Sequence, residues 1–245
     1  MDLGLSGAAV VVSGGSKGMG LAAVECFARE GARVAILARG KAALDETAER
    51  ALALGAPEAV GIVTDLTDSA SVTAAFGAVG ARWGQLNVLV NAAGPVGVGV
   101  SGFEGSDDDE WIATLQIGTL SAVRTVRAAL PLLRAAEWAR IVNVSAHSTR
   151  RQSPGLIAYT ASKAALTSIS KNLAQTLAPE GILVNTVSPG SFLSEGMKHY
   201  LTGLPAERGI DPDSLVDAMR VIKEDFGHPA FLPRAGDPSE IGPVM

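Results

Sequence analysis

The sequence predicts one α/β domain, a doubly wound parallel sheet with helices on both faces. Two observations carry this prediction. Six short apolar runs alternate with longer helical patterns, and the runs are nearly continuous in Val, Ile, Leu and Ala, as in strands buried on both faces. Such alternation implies right-handed crossovers between parallel strands. Because no linker or internal repeat interrupts the 245 residues, we expect a single domain over 1–245.

Each element is expected where an apolar or helical pattern begins and ends. A glycine follows four of the predicted helices, at the position where a left-handed cap is often needed; these are Gly31, Gly55, Gly84 and Gly181. The predicted strands are 8–13, 33–38, 59–64, 87–91, 140–145 and 182–188. The predicted helices are 19–30, 41–54, 68–83, 107–136 and 157–178.

Residues 191–235 break the alternation with an acidic run, several prolines and the aromatic residues Phe192, Tyr200, Phe226 and Phe231. We expect an inserted helical lid here, after the sixth strand. Ligands of such sheets bind outside the carboxyl ends of the strands, so this lid would cover a substrate.

Composition narrows the classes of partner and location. The chain is 47% hydrophobic, which allows a large core, and it carries a formal net charge of −5 with no Lys/Arg block, which argues against nucleic acid. No apolar stretch approaches the ~20 residues of a membrane span. Cys26 is the single cysteine and is expected to be a buried core thiol, which suits a reducing compartment. A soluble, cytoplasmic protein without a metal site is therefore expected.

The first strand ends in "SGGSKGMG", where Gly14, Gly18 and Gly20 are spaced G-x-x-x-G-x-G directly before a helix. Such glycines allow a tight turn and a close approach to a pyrophosphate, which then lies at the helix N-terminus. The stretch therefore predicts dinucleotide binding, although glycine triplets also occur in ordinary turns. The other residues of this stretch predicted to contact the cofactor are Ser16, Lys17 and Met19.

The end of the second strand indicates which dinucleotide is bound. An acidic residue there would bind the ribose hydroxyls of NAD, but this chain has Ala38 followed by Arg39. Together with Lys17, Arg39 suits a 2′-phosphate, for which guanidinium is a good fork. We therefore predict NADP rather than NAD, the alternative being that both cations are ordinary solvated surface charges.

With these motifs in place, the chain resembles the short-chain dehydrogenase/reductase family, closest in style to its 3-oxoacyl-carrier-protein-reductase-like members. The resemblance spans nearly the whole chain. It depends on "SGGSKGMG", Asp65 with Leu66, "NAAG" at 91–94, "YTASK" at 159–163 and "SPG" at 188–190, all in order at predicted strand ends.

The resemblance implies a Rossmann-type domain that assembles as a homodimer or homotetramer. Tyr159 would be the general acid/base and Lys163 would hold the cofactor ribose. Their spacing of four residues puts both on one helix face, where the ammonium is expected to lower the pKa of the phenol. The remaining implied cofactor contacts are Asp65 and Leu66 at the adenine, Asn91, Ala92, Ala93 and Gly94 along the groove, Pro189 and Gly190 beside the nicotinamide, and Ser194 in place of a threonine.

Two groups that the family usually supplies are missing. Counting back thirteen residues from Tyr159 gives Ala146 instead of a serine, and counting seven forward from Trp111 gives Gly118 instead of an asparagine. Strand alternation makes Ser148 the predicted stand-in for the serine, with a distorted strand end at Ser145 or simple turn chemistry as alternatives.

Gly118 would leave room for a water molecule or would mark a bend in the helix. The favoured function is an NADP-dependent oxidoreductase that passes hydride to or from a hydrophobic ketone, acyl thioester or steroid. The missing serine and asparagine leave a second hypothesis, a non-catalytic dinucleotide-binding paralogue acting as a sensor or structural protein. The retained Tyr159 and Lys163 argue against it.

Overall fold

The computed structural model describes residues 3–97, 99–228 and 230–245. Within them, six parallel strands form one sheet in the order β3-β2-β1-β4-β5-β6, which confirms the predicted doubly wound α/β fold. The strands are β1 (Ala9–Ser13), β2 (Arg33–Ala38), β3 (Ala59–Val63), β4 (Val88–Asn91), β5 (Ala139–Val144) and β6 (Ile182–Val187).

The helices follow the predicted pattern, with a short additional helix at Gly102–Gly105. The single helix expected over 107–136 is divided by one wide turn of π-helix at Gln116–Leu120, which contains Gly118. The helices are α1 (Gly18–Arg29), α2 (Lys41–Ala53), α3 (Ser69–Trp83), α4 (Gly102–Gly105), α5 (Asp108–Leu115), α6 (Ser121–Ala135), α7 (Ile157–Leu177), α8 (Glu195–Thr202) and α9 (Leu215–Phe226). Left-handed backbone occurs at each of the four glycines predicted to cap a helix, Gly31, Gly55, Gly84 and Gly181.

Alternation along the central strands divides the core between the two faces of the sheet. Val10 and Val12 pack with buried side chains of α1 and α2, whereas Val11 lies on the opposite face with those of α3, α6 and α7. Burial of such a side chain contributes roughly 1.5–3 kcal/mol. Burial on both faces holds for the inner strands but not for β6, where Leu183 is 46% exposed because this strand is at the sheet edge.

The stretch predicted to be a lid, which the structure describes over 191–228 and 230–235, is a helical segment closed at its base by backbone pairing. Leu193 N–H donates to Gly236 O at 2.9 Å, and Gly236 N–H donates to Ser191 O at 2.8 Å. A Cβ at Gly236 would lie 2.6 Å from the Phe192 ring, so glycine permits this closure. The lid contains α8 and α9, which enclose an apolar cluster of their own.

The aromatic residues of the lid mostly contact other lid residues rather than lining a substrate site. The rings of Tyr200 and Phe226 are 5.0 Å apart, and the Tyr200 hydroxyl donates to Asp225, which also pairs with Arg208. Phe231 is fully exposed. None of the helices in the described ranges is long and apolar enough to cross a membrane.

Candidate active site

The parallel strands bring the sequence motifs together at their carboxyl ends. The glycine-rich loop after β1 forms one end of the resulting site. Gly14 has a φ of 72°, and a Cβ there would lie 2.8 Å from the Ala93 backbone. A Cβ at Gly20 would lie 2.3 Å from Gly14 O. Only glycine therefore allows the loop after β1 to touch the Ala92–Ala93 segment after β4. Gly15, which was not among the predicted cofactor contacts, is also closely packed, because its Cβ would lie 2.9 Å from the Cγ2 methyl of Ile36.

Helix α1 presents its N-terminus beside this loop. Lys17 is its N-cap residue and has extended backbone, but its side chain makes no capping hydrogen bond. The first N–H groups of a twelve-residue helix are thus left without a side-chain acceptor. These donors and the helix dipole favour an anion, and together with the glycine cradle they fit a dinucleotide pyrophosphate. Ser16 and Met19 flank this site, and the lid begins nearby, since a Cβ at Gly18 would lie 3.5 Å from Glu195 Cγ.

The two cations expected to favour NADP over NAD, Lys17 and Arg39, are available to bind a ligand. Lys17 and Arg39 are exposed, and neither makes an ion pair with any residue that the structure describes. Hydrogen bonds from the Thr67 side chain and backbone N–H lower the pKa of Asp65, and the nearby charge of Arg39 adds to this lowering. Arg39 and Asp65 therefore lie close together beyond the end of β2, where the adenosine half of a dinucleotide is expected.

Two residues predicted to contact the cofactor, one at the adenine and one along the groove, turn their side chains inward. Leu66 is buried in the core, which leaves only its backbone for a ligand. Asn91 is also buried: its amide donates to Asn143 Oδ1 at 2.8 Å, and its oxygen accepts from Thr125 Oγ1 at 2.6 Å. Buried polar groups need partners, and the Asn91 side chain finds them within the sheet and its helices, so a cofactor contact of Asn91 would involve its backbone.

Tyr159 and Lys163 lie one turn apart on α7, at the carboxyl ends of β4 and β5. Lys163 Nζ donates to Val144 O at 2.9 Å, and a Cβ at Gly94 would lie 3.4 Å from the same nitrogen. The ammonium is therefore held between the end of β5 and the loop after β4. Burial lowers the pKa of Lys163 to about 8.

The pKa of Tyr159 corrects an expectation. Burial raises it to about 12, whereas the sequence analysis expected Lys163 to lower it. The lysine directs its hydrogen bond to Val144 O, and desolvation of the phenolate outweighs any attraction to the ammonium. Tyr159 is thus a protonated phenol throughout the neutral range.

Burial of Lys163 leads to a prediction about how stability depends on pH. Between pH 8 and 10.5 the unfolded chain holds more protons on Lys163 than the folded protein does, so this residue makes stability rise with pH. We therefore compare the unfolding free energies of the wild type and Lys163→Met. Between about pH 7 and pH 9.5, their difference should shift by about 2 kcal/mol in favour of the wild type. Urea unfolding of both proteins across this range measures the difference, in which other titrating groups cancel. Parallel pH curves would contradict the buried-charge interpretation.

The missing serine has a nearby candidate replacement. Ala146 is buried with extended backbone, and the chain then forms a 3₁₀ turn over His147–Thr149, so strand alternation ends there. The Ser145 hydroxyl donates to Lys163 O at 3.1 Å and bonds Thr167 Oγ1 at 2.6 Å, which commits it to α7. The Ser148 hydroxyl is buried and has no hydrogen-bond partner among the described residues. Of Ser145 and Ser148, only Ser148 therefore has a hydroxyl that is available, within the described chain, to bind a substrate oxygen.

Gly118 occupies the position of the missing asparagine. A Cβ there would lie 2.4 Å from Ser162 Oγ and 2.9 Å from Ser162 Cβ, so the space beside Gly118 is filled by α7. Of the two expectations for this residue, the bend in the helix agrees with the structure, because Gly118 lies in the π turn. A water-filled gap at the missing Cβ does not agree with it. Glycine here permits the close packing of α7 that carries Tyr159.

The residues after β6 connect the sheet to the lid. Pro189 O accepts a hydrogen bond from His147 N–H at 2.9 Å, which ties the loops after β5 and β6 together. A side chain at Gly190 would meet no atom within 4 Å. The Ser194 hydroxyl accepts from Met197 N–H and caps α8, a structural role that the sequence analysis did not foresee. The described residues hold no group of three or more His, Cys, Asp or Glu side chains arranged for a metal ion.

Comparison with known proteins agrees with this geometry. The short chain dehydrogenase family model matches residues 8–203. The trans-4-hydroxycyclohexanecarboxylate dehydrogenase of Sinomonas cyclohexanicum is 32% identical over 88% of this chain and 85% of that protein. The 3-oxoacyl-acyl-carrier-protein reductase of rhamnolipid biosynthesis from Pseudomonas aeruginosa is 34% identical over 92% and 86%.

A solved structure supports the same relationship. L-Sorbose reductase from Gluconobacter frateurii, complexed with NADPH and L-sorbose, superimposes with a TM-score of 0.88 at 27% identity. The match covers 100% of this chain and 90% of the other.

Proposed function

The chain belongs to the short-chain dehydrogenase family and is an oxidoreductase, and we propose that it transfers hydride between NADP and the carbonyl or secondary alcohol of an apolar substrate. The observation that carries this proposal is the arrangement of Tyr159 and Lys163. The ammonium lies between Val144 O and Gly94, one helical turn from the phenol, at the strand ends where the glycine cradle also lies.

In this proposal, side chains of the protein transfer the proton to and from the substrate oxygen. The nicotinamide, when bound, supplies or accepts the hydride. Tyr159 donates its hydroxyl proton to the substrate oxygen during reduction and takes it back during oxidation. Because burial raises the pKa of Tyr159 to about 12, the phenol is protonated and ready to act as an acid at neutral pH. Lys163 sits one turn away and stabilises the phenolate that the transfer leaves behind.

Ser148 supplies the second donor to the substrate oxygen in this proposal. Its hydroxyl is buried, and it has no acceptor or donor partner in the described chain. A buried hydroxyl normally finds a partner, so an unpaired one near the end of β5 is suited to bind a ligand oxygen.

The choice of NADP leads to a test at Arg39. Replacing Arg39 by aspartate should weaken NADPH binding about 10- to 100-fold and reverse the preference, because a charge-assisted fork is lost and a carboxylate suited to ribose hydroxyls is gained. Fluorescence titration of NADPH and NADH measures both affinities. Arg127→Asp is the matched control, since Arg127 is exposed on α6 and also makes no ion pair with described residues. Equal affinities for the two cofactors in the wild type would contradict the proposal.

The apolar substrate is supported by the segment after β4. Tyr159 N–H contacts Gly99 O at 3.4 Å, so this segment borders the active site. It carries exposed apolar side chains, of which Phe103 is 73% exposed and Val96 is 53% exposed. Ligand pockets are lined mainly by such side chains. A hydrophobic ketone, 3-oxoacyl thioester or steroid-like compound fits this surface.

Oxidation of NADPH with a panel of such carbonyl compounds tests the function directly. Turnover that depends on an apolar ketone supports the proposal. Tight NADPH binding without turnover of any member would instead favour a non-catalytic dinucleotide-binding protein.

A further inference from the structure

A group of basic side chains lies between the end of β5 and the end of the lid helix α9. The imidazole rings of His147 and His228 meet edge to face, with centroids 6.2 Å apart. Arg150 and Arg151 follow the 3₁₀ turn that contains His147, and the backbone N–H of each donates to His147 O. We call these four residues the basic cluster.

The cluster is free of acidic partners. No side chain of the basic cluster makes an ion pair with any residue in the described ranges. By contrast, Arg134, Arg208 and Arg234 all bind carboxylates, in a protein with 25 acidic and 20 basic residues. Two arginines therefore lie in this segment without an internal counter-charge.

Unpaired polar groups in the same segment provide a second, independent observation. The hydroxyl of Ser153 is buried, with the residue only 4% exposed, and it has no hydrogen-bond partner within the described chain. The same is true of the Nε2 atom of His228. Burial lowers the pKa of His228, and the neighbouring charges of His147 and Arg151 add to this lowering. A buried hydroxyl without a partner, in the same segment as two arginines that make no ion pair, suits an oxygen-rich ligand.

The position of the cluster relates it to the substrate rather than to the cofactor phosphates. His147 N–H donates to Pro189 O, and the segment that follows leads through Pro154–Leu156 into α7 and Tyr159. Lys17 and Arg39, the proposed phosphate ligands, lie instead beyond the ends of β1 and β2. A group bound by the cluster would thus belong to a molecule that enters from the lid side.

We propose that the basic cluster binds an oxyanion of the substrate, a carboxylate or a phosphate, at the end remote from the reacting carbonyl. This inference rests on the proposed function and specifies its substrate class as an apolar carbonyl compound or alcohol that carries an anionic group. The planar guanidinium of Arg151 matches either oxyanion with two parallel hydrogen bonds.

Matched substrate pairs test this inference and separate the two sources of the anion. The first pair is 4-oxocyclohexanecarboxylate and its methyl ester, which differ in the carboxylate charge. The second is a 3-oxoacyl coenzyme A thioester and the same acyl group on N-acetylcysteamine, which lacks the phosphates. We expect kcat/KM to favour the anionic member of at least one pair about tenfold or more, through KM.

Arg151→Gln should remove most of this anionic preference, and Arg150→Gln is a second variant should the first fail to fold. Lys171→Gln is the matched control, because Lys171 is exposed and lies about 18 Å further along α7 from Tyr159. A preference that is absent, or that survives in both arginine variants, would overturn the inference.

Binding gives an answer that does not depend on turnover. Calorimetric titration of the NADP-loaded protein with 4-oxocyclohexanecarboxylate and with the coenzyme A thioester should show binding that weakens in Arg151→Gln. If neither anion binds more tightly than its neutral partner, the basic cluster has no such role. Failure of the proposed function looks different: every carbonyl compound is left unreduced while anion binding and its dependence on Arg151 persist.

Discussion

Replacing Tyr159 by phenylalanine should reduce turnover about 10²- to 10⁴-fold while NADPH still binds. The change removes only the hydroxyl that exchanges a proton with the substrate oxygen. The hydroxyl makes no hydrogen bond to a side chain in the described ranges, and the ring that packs on α7 is retained, so we expect little loss of stability. Steady-state rates with the best ketone, together with fluorescence titration of NADPH, measure the two effects separately.

The chain offers a matched control, because it contains only two tyrosines. Tyr200→Phe removes the other phenolic hydroxyl, which donates to Asp225 within the lid at 2.9 Å. This variant should keep most of its activity, since a single partly exposed hydrogen bond contributes about 1 kcal/mol. Near-normal turnover by Tyr159→Phe would rule out the proposed proton transfer.

The fold could be predicted because the signals for it are local. An unbroken apolar run such as "AAVVVS" identifies a buried strand, and a glycine such as Gly84, with φ of 70°, identifies a helix end. The limits of the helical segment after β6 were also visible, since Gly236 pairs with Ser191 and Leu193 and closes its base. Edge effects were not visible: the sequence of β6 resembles an inner strand, although Leu183 lies on an open side of the sheet.

The site was harder to predict because hydrogen-bond partners come from distant parts of the chain. Asn91 belongs to a groove motif, yet its amide bonds Asn143, 52 residues away, and its side chain therefore faces inward. Gly118 replaces an expected asparagine because Ser162 of another helix fills its space. The pKa of Tyr159 depends on burial, which the four-residue spacing to Lys163 cannot reveal. Spacing identifies which residues meet, whereas their environment decides what each can do.

Ser148 makes the most discriminating prediction, because its effects on rate and on stability should have opposite signs. Replacing it by alanine should lower kcat about 10²- to 10³-fold, the usual effect of losing one donor to a developing oxyanion. NADPH affinity should change little. Stability should stay the same or rise, because a buried hydroxyl without a partner costs roughly 1–3 kcal/mol and the variant no longer buries it.

Ser145→Ala is the matched control, and it should behave in the reverse way. Its hydroxyl bonds both Lys163 O and Thr167 Oγ1, so its loss should destabilise the protein by about 1–2 kcal/mol with a smaller effect on kcat. Urea unfolding and steady-state kinetics of the two variants provide the comparison. If Ser148→Ala turns over normally, the second donor is not this side chain. Ala146 then marks a site in which Tyr159 is the one side chain that donates to the substrate oxygen.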